Sequence, residues 1–122
     1  MPDHERVFGP GPYTLLCDGS PVAPVAVAET SATRRRGLLR TDRVEGALWI
    51  TRCPSVHMIG MRYPIDVAVV DRDGTVLLTK TIAPWTGGTW FRRRASATVV
   101  APAGALAGWG VVPGTRLEVD RG

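Results

Sequence analysis

Apolar and polar positions alternate along this chain in short runs, each bounded by glycine, proline or aspartate. A period of two is the mark of half-buried strands. The runs 13–16 and 22–28 flank Asp18-Gly19, which predicts a strand, a tight turn and a second strand. Pro21 and Pro24 place that second strand at an edge, because proline has no N–H to give to a ladder. The strongest signal spans 64–82, where β-branched runs flank Asp71-Arg72-Asp73-Gly74, a turn whose glycine can take positive φ. Residues 46–50 and 96–101 read as further strands, and 111–119 as a turn at Pro113-Gly114 leading into a last one. Helical pattern is scarce. Thr30 or Ser31 can cap one short helix at about 31–39, and 102–110 supports a helical turn at about 103–108 that ends in glycine. Six to eight short strands with two scant helices predict a mainly β protein, a compact sandwich or barrel.

Composition narrows the class without naming a function. The chain has 122 residues, of which 44% are hydrophobic and 21% charged, so it is neither disordered nor a disulfide-dense miniature. No apolar run approaches the roughly 18 residues that a spanning helix needs. Residues 1–12 mix both signs of charge and run into Gly9-Pro10-Gly11-Pro12, which reads as a flexible leader before a single domain at 13–122. The expected protein is a cytoplasmic monomer with no membrane span. A net charge of +4 raises the question of nucleic acid, yet fourteen of the fifteen basic residues are arginine in an Ala-, Gly-, Pro- and Val-rich chain, a bias that GC-rich coding produces unaided. Two triplets stand out, Arg34, Arg35 and Arg36, and Arg92, Arg93 and Arg94. Were they to converge, they would form an anion-binding patch, so an arginine-driven nucleic-acid or acidic-partner binder is the alternative function.

The unusual side chains concentrate between Cys53 and Asp66. Alternation puts Asp66 on the same strand face as Ala68 and Val70, and a carboxylate among apolar neighbours must be paired, hydrogen-bonded or in a cleft. Arg62 or a pair of turn N–H groups would make it structural; an open face would make it a ligand contact. His57 with Cys53, Met58 or Met61 offers soft metal ligands, but no second histidine or cysteine pair completes a tetrahedral set, so neither metal nor cofactor is expected. The Asp71–Gly74 turn also opens a calcium-loop pattern, which fails because its twelfth position is Ile82. Cys17 and Cys53 lie in no C-x-x-C pair and read as free thiols. Cys53 with His57 could form a nucleophile and base, which leaves an unidentified hydrolase as the last of the readings. Trp85 and Trp90, beside the second arginine triplet, combine flat aromatic and planar cation in a glycine-flanked loop.

Taken together, Ala28-Glu29-Thr30 with Arg36-Gly37-Leu38-Leu39, Met61 to Val67, Asp71 to Gly74, and Pro102-Ala103-Gly104 with Gly110 and Pro113-Gly114 form a recognisable set. From about Val25 to Val119 the chain resembles the bacterial and archaeal family called domain of unknown function 192. The resemblance implies a jelly-roll-like β-sandwich or barrel with one short helix and no established activity. Relatives are often exported or membrane-anchored, beside which this chain reads as a cytoplasmic variant. Where relatives usually show Trp-Met-x-Asn, this chain has Gly60-Met61-Arg62-Tyr63, and where they tend to carry a glutamate it has Val100. If that glutamate and Asp66 share a pocket in relatives, the pocket here lacks a wall, and acid/base catalysis loses support. The expected function is a non-enzymatic β-domain that binds a small ligand or protein partner at a face of His57, Met61, Arg62 and Asp66, with Trp85 and Trp90 nearby.

Overall fold

The computed structural model describes residues 7–8, 11–28, 43–51, 63–83 and 96–122. The helix expected at about 31–39 lies outside them. In chain order the elements are β1 (Val7–Phe8), β2 (Tyr13–Cys17), β3 (Ser20–Ala28), β4 (Arg43–Val44), β5 (Ala47–Thr51), β6 (Ile65–Val70), β7 (Val76–Ile82), β8 (Ala97–Pro102), the one-turn helix α1 (Ala105–Gly108) and β9 (Leu117–Asp120). Seven of these strands form one sheet in the order β7-β6-β8-β5-β3-β2-β9, and β1 pairs with β4 in a parallel ribbon. Residues 7 and 8 of the expected leader thus carry a strand. The mainly β architecture with one helical turn near 103–108 is the expected one.

Local chemistry sets the turns. Asp18 and Gly19 both take positive φ, 50° and 84°, as a two-residue type I′ hairpin requires. At the β6–β7 turn the amide of Gly74 donates to the Asp71 carbonyl at 3.0 Å, while Asp71 Oδ1 accepts the amides of Asp73 and Thr75 at 2.9 and 3.0 Å. The aspartate holds its own turn, as this residue type does at such positions. Helix α1 ends in a Schellman closure: Val111 N–H donates to Leu106 O at 2.9 Å, Gly110 N–H to Ala107 O at 3.1 Å, and Gly110 sits at φ 77°. Leu106 and Val111, each 2% exposed, complete the apolar contact that accompanies this motif. A Cβ added at Gly110 would meet nothing within 4 Å, so Gly110→Ala should cost only the left-handed backbone, about 1 kcal/mol, read as a lower urea midpoint at unchanged slope.

The prolines of β3 did not make it an edge. Val25 to Ala28 pair in parallel with Ala47 to Ile50 of β5, so β3 lies inside the sheet. Pro21 and Pro24 fall in its first half, where only β2 is paired, and there the strand has a free side that tolerates a missing N–H.

The sheet curls until its two edges touch. Thr75, just before β7, bridges Arg116, just before β9. Three backbone bonds zip the junction: Leu117 N–H to Gly74 O at 2.8 Å, Val76 N–H to Thr115 O at 2.8 Å, and Gly114 N–H to Val76 O at 2.9 Å. Arg116 Nε adds a bond to Asp73 O at 3.0 Å. One apolar cluster consequently joins strands from both ends of the sheet order, with Val76 of β7 beside Leu117 of β9, together with Leu15, Val25, Ala68, Val70 and Val99. This is the interior of a partial barrel. A second cluster, Leu48, Ile50, Ile65, Val67, Ile82 and Val100, occupies the opposite face of β5, β6 and β8, and β6 is buried along both faces. That double burial explains why β6 reads as nearly continuous apolar sequence.

Candidate functional site

Asp66 is the interruption in that apolar strand. It faces inward opposite Ala101 and is 5% exposed. Its Oδ2 accepts the amides of Gly104 at 3.0 Å and Leu106 at 3.3 Å, and its Oδ1 accepts the Thr81 hydroxyl at 2.5 Å. Gly104 at the start of α1 has no side chain with which to cap the helix, so the carboxylate arrives from the neighbouring strand and satisfies the orphan amides of the first turn. It links β6, β7 and the β8–α1 turn. One of the two expected partners, a pair of turn N–H groups, is present; the other, Arg62, lies outside the described residues. Position 100 faces away: Val100 pairs with Val67 and packs in the outer cluster, so side chains at 66 and 100 stand on opposite faces and share no pocket.

His57, Met61, Arg62, Trp85 and Trp90, and both arginine triplets, Arg34 to Arg36 and Arg92 to Arg94, lie outside the described residues. So does Cys53, while Cys17 is a buried free thiol whose Sγ lies 3.8 Å from the carbonyl oxygen of Gly110. Among the described residues no group of three or more His, Cys, Asp or Glu side chains could hold a metal, and no helix is long and apolar enough to cross a membrane.

A different feature comes from the seam. Beyond Leu117 the ladder between the two edges runs out, because at Gly74 the chain turns away into the β6–β7 hairpin while β9 continues straight. The gap is a cleft of about 250 Å3. Its apolar wall is Val27, Trp49, Leu117 and Val119; Arg72, Asp73, Glu118 and Arg121 also line it. Arg121 lies over the Tyr13 ring at 5.0 Å from its centroid, a cation–π contact that steadies the guanidinium at the rim. Among the described residues, the side chains of Arg72, Asp73 and Glu118 make no hydrogen bond or ion pair. The lining therefore offers a flat aromatic, branched aliphatic surface and charges of both signs. The sequence marks Arg72, Asp73 and Gly74 as turn residues and none of the lining as a binding site. Trp49 reads as one more strand residue, and the cleft exists only because segments remote in the chain meet at Thr75 and Arg116.

Two solved structures share the fold. One is a protein of unknown function from Novosphingobium aromaticivorans, 22% identical, with a TM-score of 0.73 over 88% of this chain and 83% of that one. The other, a candidate transcription regulator from Sinorhizobium meliloti, is 24% identical with a TM-score of 0.63 over 78% of this chain and 80% of that one. At these identities the likeness is one of fold. No curated protein matches. The family model described as Uncharacterized ACR, domain of unknown function 192, matches residues 15–119, nearly the whole β-domain from the second strand to the last. The chain belongs to the domain of unknown function 192 family.

Proposed function

We propose that this protein is a non-enzymatic binding domain and that its seam cleft is a binding site. The observation that carries this reading is the combination at one opening of an apolar wall, Val27, Trp49, Leu117 and Val119, with charged groups that have no protein partner among the described residues, Arg72, Asp73 and Glu118. Concave sites with an apolar lining and a few polar groups are where small molecules and short segments bind, and paired charges of opposite sign would have closed the rim instead. Asp66, the residue that the sequence singles out, is engaged by three protein donors, which supports a structural use of that carboxylate.

The test is a chemical-shift titration of labelled protein with indole and with phenylpropionate. Binding in the cleft should move the Trp49 indole N–H and the amides of Val27, Gly74 and Val119 together, and Arg72→Ala should weaken phenylpropionate more than indole. Uniformly unmoved resonances at those four positions with both probes would refute the reading.

A further inference from the structure

We infer that the occupant of the cleft is an extended peptide segment that continues the sheet along β9, an assignment that rests on the cleft being a binding site. In an antiparallel strand the backbone groups of alternate residues point to the same side. The Leu117 amide points to the seam, since it donates to Gly74 O at 2.8 Å. Val119, two residues on, therefore directs both its N–H and its C=O to the same side, and there the turn at Asp71–Gly74 has left no strand to meet them. Glu118 and Asp120 point the other way, into the ladder with Leu16 and Thr14 of β2. Val119 is half-buried, lines the cleft and has no backbone partner across the seam among the described residues. A half-buried donor and acceptor side by side on a strand edge form the smallest site for strand addition.

The register specifies the peptide. Gly74 opposes Leu117 in the position where narrow hydrogen-bonded pairs occur, and period two makes the place opposite Val119 another such position. One peptide residue would give its N–H to Val119 O and take the Val119 N–H on its own carbonyl. Its side chain then shares the face of Val119, which packs against the interior cluster beside Trp49. Its two neighbours point outward, toward Arg72, Asp73, Glu118 and Arg121. The recognised pattern is polar, apolar, polar in an extended backbone, with polar residues of either charge accommodated because the rim carries both.

The experiment titrates labelled protein with the capped tetrapeptide Ac-Ser-Thr-Val-Thr-NH2, which stops short of the place that Gly74 holds opposite Leu117, with the same peptide N-methylated at valine, and with the same peptide carrying aspartate for valine. Shifts at Val119, Leu117, Gly74 and the Trp49 indole are expected from the first, with binding about tenfold weaker for the other two, the scale of one or two lost hydrogen bonds or a charge forced onto an apolar wall. Val119→Pro, which removes the protein's donor at a side where an edge strand tolerates proline, should have the same effect with signal dispersion unchanged. Equal binding of the N-methylated peptide would overturn strand pairing. Indole or phenylpropionate shifting the cleft while every peptide leaves it unmoved would overturn the peptide assignment and leave the cleft as a small-molecule site. Silence from fragments and peptides alike would sink both.

Discussion

Gly74→Ala is expected to lower the unfolding free energy by about 3 kcal/mol, seen as a fall in Tm on the order of 10 °C. Two costs combine at this position. Gly74 sits at φ 87°, where a side chain strains the backbone, and an added Cβ would run into the carbonyl oxygen of Leu117. That oxygen belongs to the backbone of β9 and cannot rotate aside, so the seam itself must part. Parting it weakens the bonds from Leu117 to Gly74 and from Val76 to Thr115, the zip that turns an open sheet into a partial barrel. Gly19→Ala is the control. Gly19 has nearly the same φ, 84°, and open space around the added Cβ, so its loss should be about 1 kcal/mol, the backbone cost alone. Equal losses at the two positions would show that the seam contributes nothing to stability. Because the cleft borders the seam, Gly74→Ala should also broaden the Val119 and Trp49 resonances, while Gly19→Ala leaves them sharp.

What the sequence made legible and what it hid divide along contact range. The hairpins at Asp18-Gly19 and at Asp71–Gly74, and the glycine that ends the helical turn, are chemistry of adjacent residues, so residue type announces them. The strand face of Asp66 is legible for the same reason, since alternation is local. Its partners are not: Gly104 and Leu106 lie 38 and 40 residues away, and no periodicity connects them to position 66. The prolines of β3 signal a free side only over the half of the strand they occupy, since β5 reaches β3 only from Val25 onward. The closure between Thr75 and Arg116 is the most hidden element, and the candidate site went unread with it. The sequence drew attention instead to the residues with conspicuous side chains, from Cys53 to Asp66 and in the tryptophan and arginine loop.

Asp66→Ala is expected to cost about 3 kcal/mol, because it removes three hydrogen bonds from a carboxylate that is 5% exposed and leaves the buried Leu106 amide without an acceptor, while Gly104 and Thr81, both exposed, can turn to water. Asp66→Asn keeps the size and one acceptor oxygen. That oxygen can still receive Gly104 and Leu106, and Thr81 can turn its hydroxyl to accept from the new amide, so the loss should be near 1.5 kcal/mol. Thr81→Val removes only the third contact and should cost about 1 kcal/mol. The ordering separates a structural pin from a site of recognition: a carboxylate kept for a ligand would give three similar, small losses of stability. A second readout is local. In Asp66→Ala, amide exchange should accelerate at Gly104 and Leu106 beyond what the global loss explains, since the carboxylate accepts both amides and holds the first turn of α1 from outside the helix. Asp66 is about 13 Å from the Val70 end of β6, four strand residues away, and the cleft opens beyond that end at Arg72–Gly74. Peptide or fragment binding measured in folded Asp66→Asn should accordingly match the parent protein. A variant that stays folded yet loses cleft binding would instead make Asp66 part of recognition, through the strand that joins the two places.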